Sequence, residues 1–293
     1  MNGFAGGPDA GGLRAAVAAM GASFDAEVLE RTRLLYAPHV RAARPDQRVI
    51  ADIAYGADPR QKLDLYLPAR PSGPALVFVP GGGFTGGDKN GDGTFYGNLG
   101  RYFAGHGMLT AVINYRLSPA HPWPAGSEDV AGAVAWVRAH AGDHGGSGRT
   151  FLMGQSAGAA HAAGFLFNDA FHAEGGPGID AAVLMSGIYR VGAGSPPHVR
   201  AYFGGDEAAF AERSPIAHAG RSRVPLMLCL AEFDPAPLAA PSFELAQSVT
   251  MRDGRSPHFA WFAGHNHVST VMSLGTPQED VGNALRDFLE RQR

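Results

Sequence analysis

The chain has 293 residues, 45% hydrophobic and 17% charged, with a formal net charge of −3. That length and composition suit one large folded core rather than a disordered chain. The charge balance argues against a nucleic-acid partner, which would need a surface of clustered Lys and Arg.

Residues 1–12 are Gly-rich and read as loose, with neither a basic nor an apolar leader region. Leu13 to Tyr36 carries a broken apolar stripe and predicts helix, clearest over Phe24 to Tyr36, with Ser23 or Asp25 as cap and Pro38 beyond its end. Val49–Tyr55 and Leu63–Leu67 alternate apolar and polar residues, and the turn Gly56 to Gln61 joins them into a hairpin at a sheet edge. Ala75–Val79, Met108–Ile113, Phe151–Met153, Ala181–Met185, Leu226–Leu230 and His258–Phe262 are apolar runs of the kind found in strands covered on both faces. Between and after them, Tyr96–His106, Ser127–His140, Ala157–Phe171, Pro241–Thr250 and Gln278–Arg291 read as helices. This order predicts an α/β fold, with a mostly parallel central sheet, right-handed crossovers and helices on both faces. Tyr189 to Arg223 is too long for a plain connection and should carry extra helices over the sheet. The expected organisation is an N-terminal helical cap segment over 1–45, then a main domain over 46–293 with a cap insertion at about 189–223. No run approaches the roughly 18 apolar residues of a membrane helix, so the expectation is a cytoplasmic protein without a span. Cys229, the single cysteine, lies in an apolar run and reads as a small core residue.

Gly154-Gln155-Ser156-Ala157-Gly158 follows the strand Phe151–Met153 directly and opens an alanine-rich helix. A G-x-S-x-G pentapeptide in that context places its serine on a tight strand-to-helix turn, hydroxyl outward, beside the positive end of a helix. Ser156 is therefore the candidate nucleophile. Acyl transfer also needs fixed donors where the carbonyl oxygen becomes negative, each worth about 3 kcal/mol. Pro80-Gly81-Gly82-Gly83-Phe84 leaves the carboxyl end of the strand Ala75–Val79, so Gly82 and Gly83 N–H are assigned as donors together with Ala157 N–H. Two other patterns overlap this loop. Gly81 to Gly86 matches G-x-G-x-x-G, but no helix follows over Gly87 to Gly93, which speaks against a nucleotide site. Asp88 to Gly93 copies the opening of a calcium loop, but its twelfth position is Leu99, which cannot bind a cation.

A serine hydroxyl needs a histidine to take its proton, and the histidine needs a carboxylate to hold its tautomer. Asp234 follows the strand Leu226–Leu230, and His267 follows the last strand, giving the chain order Ser156, Asp234, His267. Glu232 competes with Asp234, and His265 with His267, while His258 at a strand start reads as structural. Pro235 disfavours helix at the aspartate, which suits a carboxylate held on a loop.

Together these residues resemble the hormone-sensitive-lipase-like esterases and the neighbouring bacterial carboxylesterases and kynurenine-formamidase-like enzymes of the α/β-hydrolase superfamily. The likeness runs from about Val49 to the end. Its most telling stretch is Asn114-Tyr115-Arg116-Leu117-Ser118-Pro119, continuing through His121-Pro122-Trp123-Pro124 to Glu128-Asp129-Val130. The resemblance implies a Ser-Asp-His triad, the three oxyanion donors named above, and His267 rather than His265. Two positions depart from the family pattern: Pro80 stands where His is usual, and Gln155 where Asp, Glu or His is usual. Tyr115, Arg116 and Asp129 read as a buried ion-pair and hydrogen-bond network below the site.

The expected activity is hydrolysis of short to medium acyl or aryl esters, with no metal or other cofactor implied. It should fall at acid pH as the base protonates, near the usual histidine value of about 6.5. Phe84, Trp123 and Phe233 flank the motifs and are candidates to line an apolar pocket. An arylformamidase-type amide hydrolase shares every catalytic residue. A receptor built on a hydrolase scaffold is the alternative from another class. The expected partner is a small ester, and a homodimer is possible on this reading.

Overall fold

The computed structural model describes residues 10–42, 47–70, 73–91 and 93–292. Eight strands form one sheet: β1 Arg48–Ala54, β2 Lys62–Leu67, β3 Ala75–Val79, β4 Leu109–Ile113, β5 Thr150–Gln155, β6 Ala181–Met185, β7 Leu226–Phe233 and β8 His258–Asn266. Every residue of β3 to β6 is buried, as the continuous apolar runs require of strands covered on both faces. The lateral order is β1-β2-β4-β3-β5-β6-β7-β8. The hairpin β1–β2 is antiparallel, β2 pairs antiparallel with β4, and all remaining neighbours are parallel.

This topology positions the site. The chain passes from β3 outward to β4, then crosses back to β5 on the other side of β3, so the winding reverses between β3 and β5. Crevices at the carboxyl ends of strands open at such a reversal. The loops leaving β3, β5, β7 and β8 emerge at that same rim, and they carry Pro80–Phe84, Ser156, Asp234 and His267.

The helices among the described residues are α1 Ala10–Ala18, α2 Ala26–Tyr36, α3 Gly97–Gly105, α4 Ala125–His140, α5 Ala157–Phe167, α6 Pro197–Phe203, α7 Phe210–Arg213, α8 Ala236–Asp253, α9 Ser269–Met272 and α10 Asp280–Glu290. Strand alternation splits the core. Val77, Val79 and Leu152 face one side with Val134, Phe165 and Leu245. Leu76, Phe78 and Met153 face the other with Phe103, Leu285 and Leu289.

Several element boundaries differ from the sequence expectation for identifiable reasons. The stretch Leu13 to Tyr36 is two helices, and Asp25 rather than Ser23 caps the second by accepting from Val28 N–H at 2.9 Å. Helix α8 starts at Ala236, immediately after Pro235, and carries Pro241 inside it rather than at its start. Helix α5 stops at Phe167, and Asn168 begins a separate 3-10 turn by accepting from Ala170 N–H.

The two segments expected to form a cap each pack through a small cluster of their own. Leu13, Val17 and Tyr36 meet Phe95, Val268 and Met272. Val191, Val199, Tyr202, Phe203 and Phe210 meet Phe84, Ala157 and Ala160. Residues 1–9 and 43–45 of the expected N-terminal segment lie outside the described residues, as do Asp46 just after it and Asp92 of the calcium-like stretch. Asp88 there accepts from Asn90 N–H and from the Asn114 side chain, which occupies its carboxylate within the turn.

One buried group under the second cluster has a measurable consequence. The His161 ring, on α5, is enclosed by Phe84, Tyr115 and Tyr202, with ring centroids 5.2, 4.5 and 4.7 Å away. Neither ring nitrogen has a hydrogen-bond partner among the described residues. Burial alone pulls its pKa down to about 3. The unfolded chain therefore takes up a proton that the folded chain refuses. Stability is complete above the free-histidine value and is lost as pH falls from there toward 3. Going from pH 7 to pH 5 should cost about 2 kcal/mol from this residue. Chemical denaturation at both pH values should show that loss, and His161→Phe should lack it. An equal pH dependence in the two proteins would contradict the assignment.

Candidate active site

Ser156 has φ 55° and ψ −124°, a left-handed conformation that a non-glycine residue adopts only under constraint. The constraint comes from its neighbours. A Cβ on Gly154 would collide with the Gly158 carbonyl, and one on Gly158 with the Val79 carbonyl. Strand β5, helix α5 and strand β3 thus pass at backbone contact, and the serine between them is pushed out of the sheet. Ser156 N–H donates to Met185 O at 2.9 Å, tying the turn to β6.

The Ser156 Oγ lies 2.9 Å from His267 Nε2, and His267 Nδ1 lies 2.7 Å from Asp234 Oδ1. A carboxylate only accepts, so the proton sits on Nδ1 and Nε2 is left to accept from the serine. All three groups are nearly buried, with Ser156 8% exposed, Asp234 7% and His267 1%. The other Asp234 oxygen accepts from Ser186 Oγ at 2.6 Å and from Ala231 N–H at 2.8 Å. Asp234 is therefore held at both oxygens.

The rival residues are occupied elsewhere. Glu232 is exposed and accepts from Gly264 N–H at 2.7 Å, closing the turn before the histidine loop. His265 is fully buried, with Nδ1 2.9 Å from Ser269 Oγ and Nε2 3.3 Å from Asp280. Burial alone would raise the Asp280 carboxyl, but His265 and Arg14 hold it down to about 2. His258 is exposed and stacks on Phe288.

Across from the serine, Gly82 and Gly83 have φ of 149° and 60°, and a side chain on Gly82 would run into Gly86. A Cβ on Gly81 would stand 3.1 Å from Ser156 Cβ, so this loop runs directly beside the serine. Ala157 opens α5 on the other side and is fully buried. With Pro80 in place of the usual histidine, tyrosines brace the loop. Tyr115 Oη donates to Pro80 O at 3.1 Å, and Tyr96 Oη donates to Gln155 Oε1 at 3.4 Å. The Gln155 Nε2 in turn donates to His267 O at 3.1 Å. A side chain on Gly81 would overlap the Gln155 amide, so Gln155 touches both the glycine loop and the histidine loop.

The network below the site is divided. Asp129, fully buried, accepts from Arg116 Nε at 2.8 Å and Arg116 N–H at 2.6 Å, and Glu128 pairs with the same guanidinium at 3.0 Å. Tyr115 belongs instead to the loop above. The structure also corrects the expectation for Phe84. Its ring has no exposed surface and stacks on Tyr202 at 4.9 Å, so it supports the glycine loop from beneath. Its backbone, at φ 68°, turns the side chain into the core. Trp123 is half-buried under the Arg213 guanidinium, 5.4 Å from the ring. Phe233 is half-buried against the cluster of α1 and α9.

The sequence reading missed Ser186, Tyr96 and Phe24. Ser186 ends the apolar run of β6 with φ 50° and is fully buried. Phe24 places its ring centroid 4.4 Å from that of His267.

Residues 63–173 match the BD-FAE family model. Esterase LipC of Mycobacterium tuberculosis is 39% identical over 147 residues, covering 47% of this chain and 35% of LipC. Esterase LipQ of the same organism is 29% identical over 291 residues, covering 90% of this chain and 67% of LipQ. The chain thus spans about a third of the length of LipC and two thirds of that of LipQ. Among solved structures, esterase B from Lactobacillus rhamnosis superposes with a TM-score of 0.73 at 21% identity, covering 97% of both chains. The Pyrobaculum calidifontis esterase superposes with a TM-score of 0.71 at 22% identity, covering 96% of this chain and 98% of the other. The strand order, the sharp serine turn between β5 and α5, and these superpositions over nearly the whole chain show that the protein has the α/β-hydrolase fold.

Proposed function

We propose that the chain is a serine carboxylesterase that hydrolyses short to medium acyl or aryl esters through an acyl-enzyme on Ser156. The observation that carries this reading is the chain of contacts from Ser156 Oγ to His267 to Asp234, at 2.9 and 2.7 Å. His267 Nε2 takes the hydroxyl proton as Ser156 Oγ attacks the ester carbonyl, and Asp234 stabilises the imidazolium that forms. The negative oxygen of the tetrahedral intermediate is held by the N–H groups of Gly82, Gly83 and Ala157. His267 then gives its proton to the departing alcohol, and water repeats the sequence on the acyl-enzyme. Esterase names among the relatives support the same reading.

The helices of 13–36 and of about 189–223 act as a cap at the rim, and a cap limits acyl length. A series of p-nitrophenyl esters of increasing acyl length, run beside N-formylkynurenine, tests this. Acetate and butyrate should be turned over fastest, and rates should fall for long acyl chains. Faster turnover of N-formylkynurenine would move the assignment to an arylformamidase. Absence of Ser156-dependent hydrolysis of any ester would overturn it. No helix among the described residues is long and apolar enough to cross a membrane.

A further inference from the structure

An aromatic ring from the N-terminal segment, 243 positions earlier in the chain, lies against the His267 ring. Phe24 sits between α1 and α2, its ring tilted 59° against the imidazole with centroids 4.4 Å apart. The two rings differ sharply in exposure: His267 is 1% exposed and Phe24 45%. The phenyl group therefore covers the imidazole and leaves much of its own surface in water.

The position of Phe24 is built rather than incidental. It immediately precedes Asp25, whose carboxylate caps α2 and whose backbone is extended at φ −137°. Helix α1, on the other side, is fastened by Leu13 and Val17 in a cluster with Val268 and Met272, and by Arg14 to Asp280 at 2.9 Å. An apolar residue just before a helix cap ordinarily packs back on the fourth residue of that helix. Here that residue is Leu29, which is 40% exposed, while the Phe24 ring lies on the histidine instead.

Chemistry says which part of a substrate meets this ring. The imidazole hands its proton to the departing alcohol, so the alcohol must lie beside His267 when the acyl bond breaks. Phe24 lies against that same imidazole, and Phe233, half-buried, packs into the same cluster as Leu13 and Val268. We propose that Phe24 is a specificity-determining residue that favours esters of aromatic or bulky apolar alcohols, by stacking on the leaving group as it departs. This rests on the esterase reading above. An alcohol that covers the exposed ring gains apolar burial and an aromatic pair, whereas a small alkyl alcohol gains neither.

The test holds the acyl group constant and varies the alcohol. Benzyl acetate and ethyl acetate release alcohols of similar basicity, so their rates differ mainly through contact with the protein. Values of kcat/KM are measured for both esters on the wild type, Phe24→Ala and Phe24→Tyr. The benzyl-to-ethyl ratio should fall by about five- to tenfold in Phe24→Ala and be retained in Phe24→Tyr. If both esters lose activity in proportion, Phe24 only shields the histidine, and the proposal is overturned. An unchanged ratio overturns it equally. A wild type that hydrolyses neither ester, nor p-nitrophenyl acetate in a Ser156-dependent way, overturns the esterase reading itself.

Discussion

Ser156→Ala should lower kcat/KM on p-nitrophenyl acetate by about 100,000-fold while leaving the protein folded. The size follows from what the hydroxyl does in the structure. Its hydrogen bond is to His267 Nε2, at 2.9 Å. A methyl group in its place strands one imidazole nitrogen but changes neither the left-handed backbone at 156 nor the glycine contacts that impose it. Alanine and serine both carry a Cβ, so the strain is the same in each. The residual rate should come from the glycine loop and the helix N-terminus acting on bound ester with water as nucleophile. Steady-state kinetics on the purified variant, with thermal unfolding to show that it is folded, checks this. A variant within tenfold of wild type would place the nucleophile elsewhere.

The second large effect is expected at Asp234. Asp234→Asn should reduce kcat by about 10,000-fold with little change in KM. The cause is the tautomer rather than the missing charge alone. Asp234 Oδ2 accepts from two donors, the Ser186 hydroxyl and the Ala231 N–H, and the backbone donor cannot reverse its role. The asparagine amide must therefore turn its oxygen toward Ala231 and its NH2 toward His267 Nδ1. That donor forces Nδ1 to accept, which puts the ring proton on Nε2, facing Ser156. The base is then blocked at the atom that should take the hydroxyl proton. Kinetics of Asp234→Asn beside Asp234→Ala checks this account. A mild loss in the asparagine variant would mean that the tautomer is not what Asp234 controls.

The parts of this protein legible in its sequence are those written in contiguous stretches. Phe151 to Phe167 carries a buried strand, a tight turn and a helix in one run, and the collision that a Cβ at 158 would make with the Val79 carbonyl shows why the pentapeptide needs glycine there. The strand order places the ends of β3, β5, β7 and β8 at one rim, so the expectation of a parallel α/β sheet led directly to the meeting of Ser156, Asp234 and His267.

What the sequence did not show depends on distant pairs. Ser186 reads as a serine after an apolar run, and only the β6–β7 pairing brings it to Asp234. The available signal was its position at the carboxyl end of a strand beside the one that carries the acid. Gln155 was seen only as a departure from the family pattern. Its link to His267 O spans 112 positions, and no local pattern encodes it. Phe84 was placed at the pocket because it borders the glycines, yet its positive φ and the aromatic surfaces of Tyr202 and His161 draw it inward. Phe24 looked like part of an ordinary apolar stripe. Asp25 is one of the two caps the sequence offers, but that the ring just outside this cap lies on a histidine 243 positions away is not written in the stripe.

The most direct test of the account is covalent labelling with diethyl p-nitrophenyl phosphate, followed by intact-mass and peptide mass spectrometry. The account predicts one diethylphosphoryl group per chain, carried on Ser156 with release of one p-nitrophenol, parallel loss of ester hydrolysis, and no label in His267→Gln. Labelling at a different residue, or full inactivation with Ser156 unmodified, would contradict it.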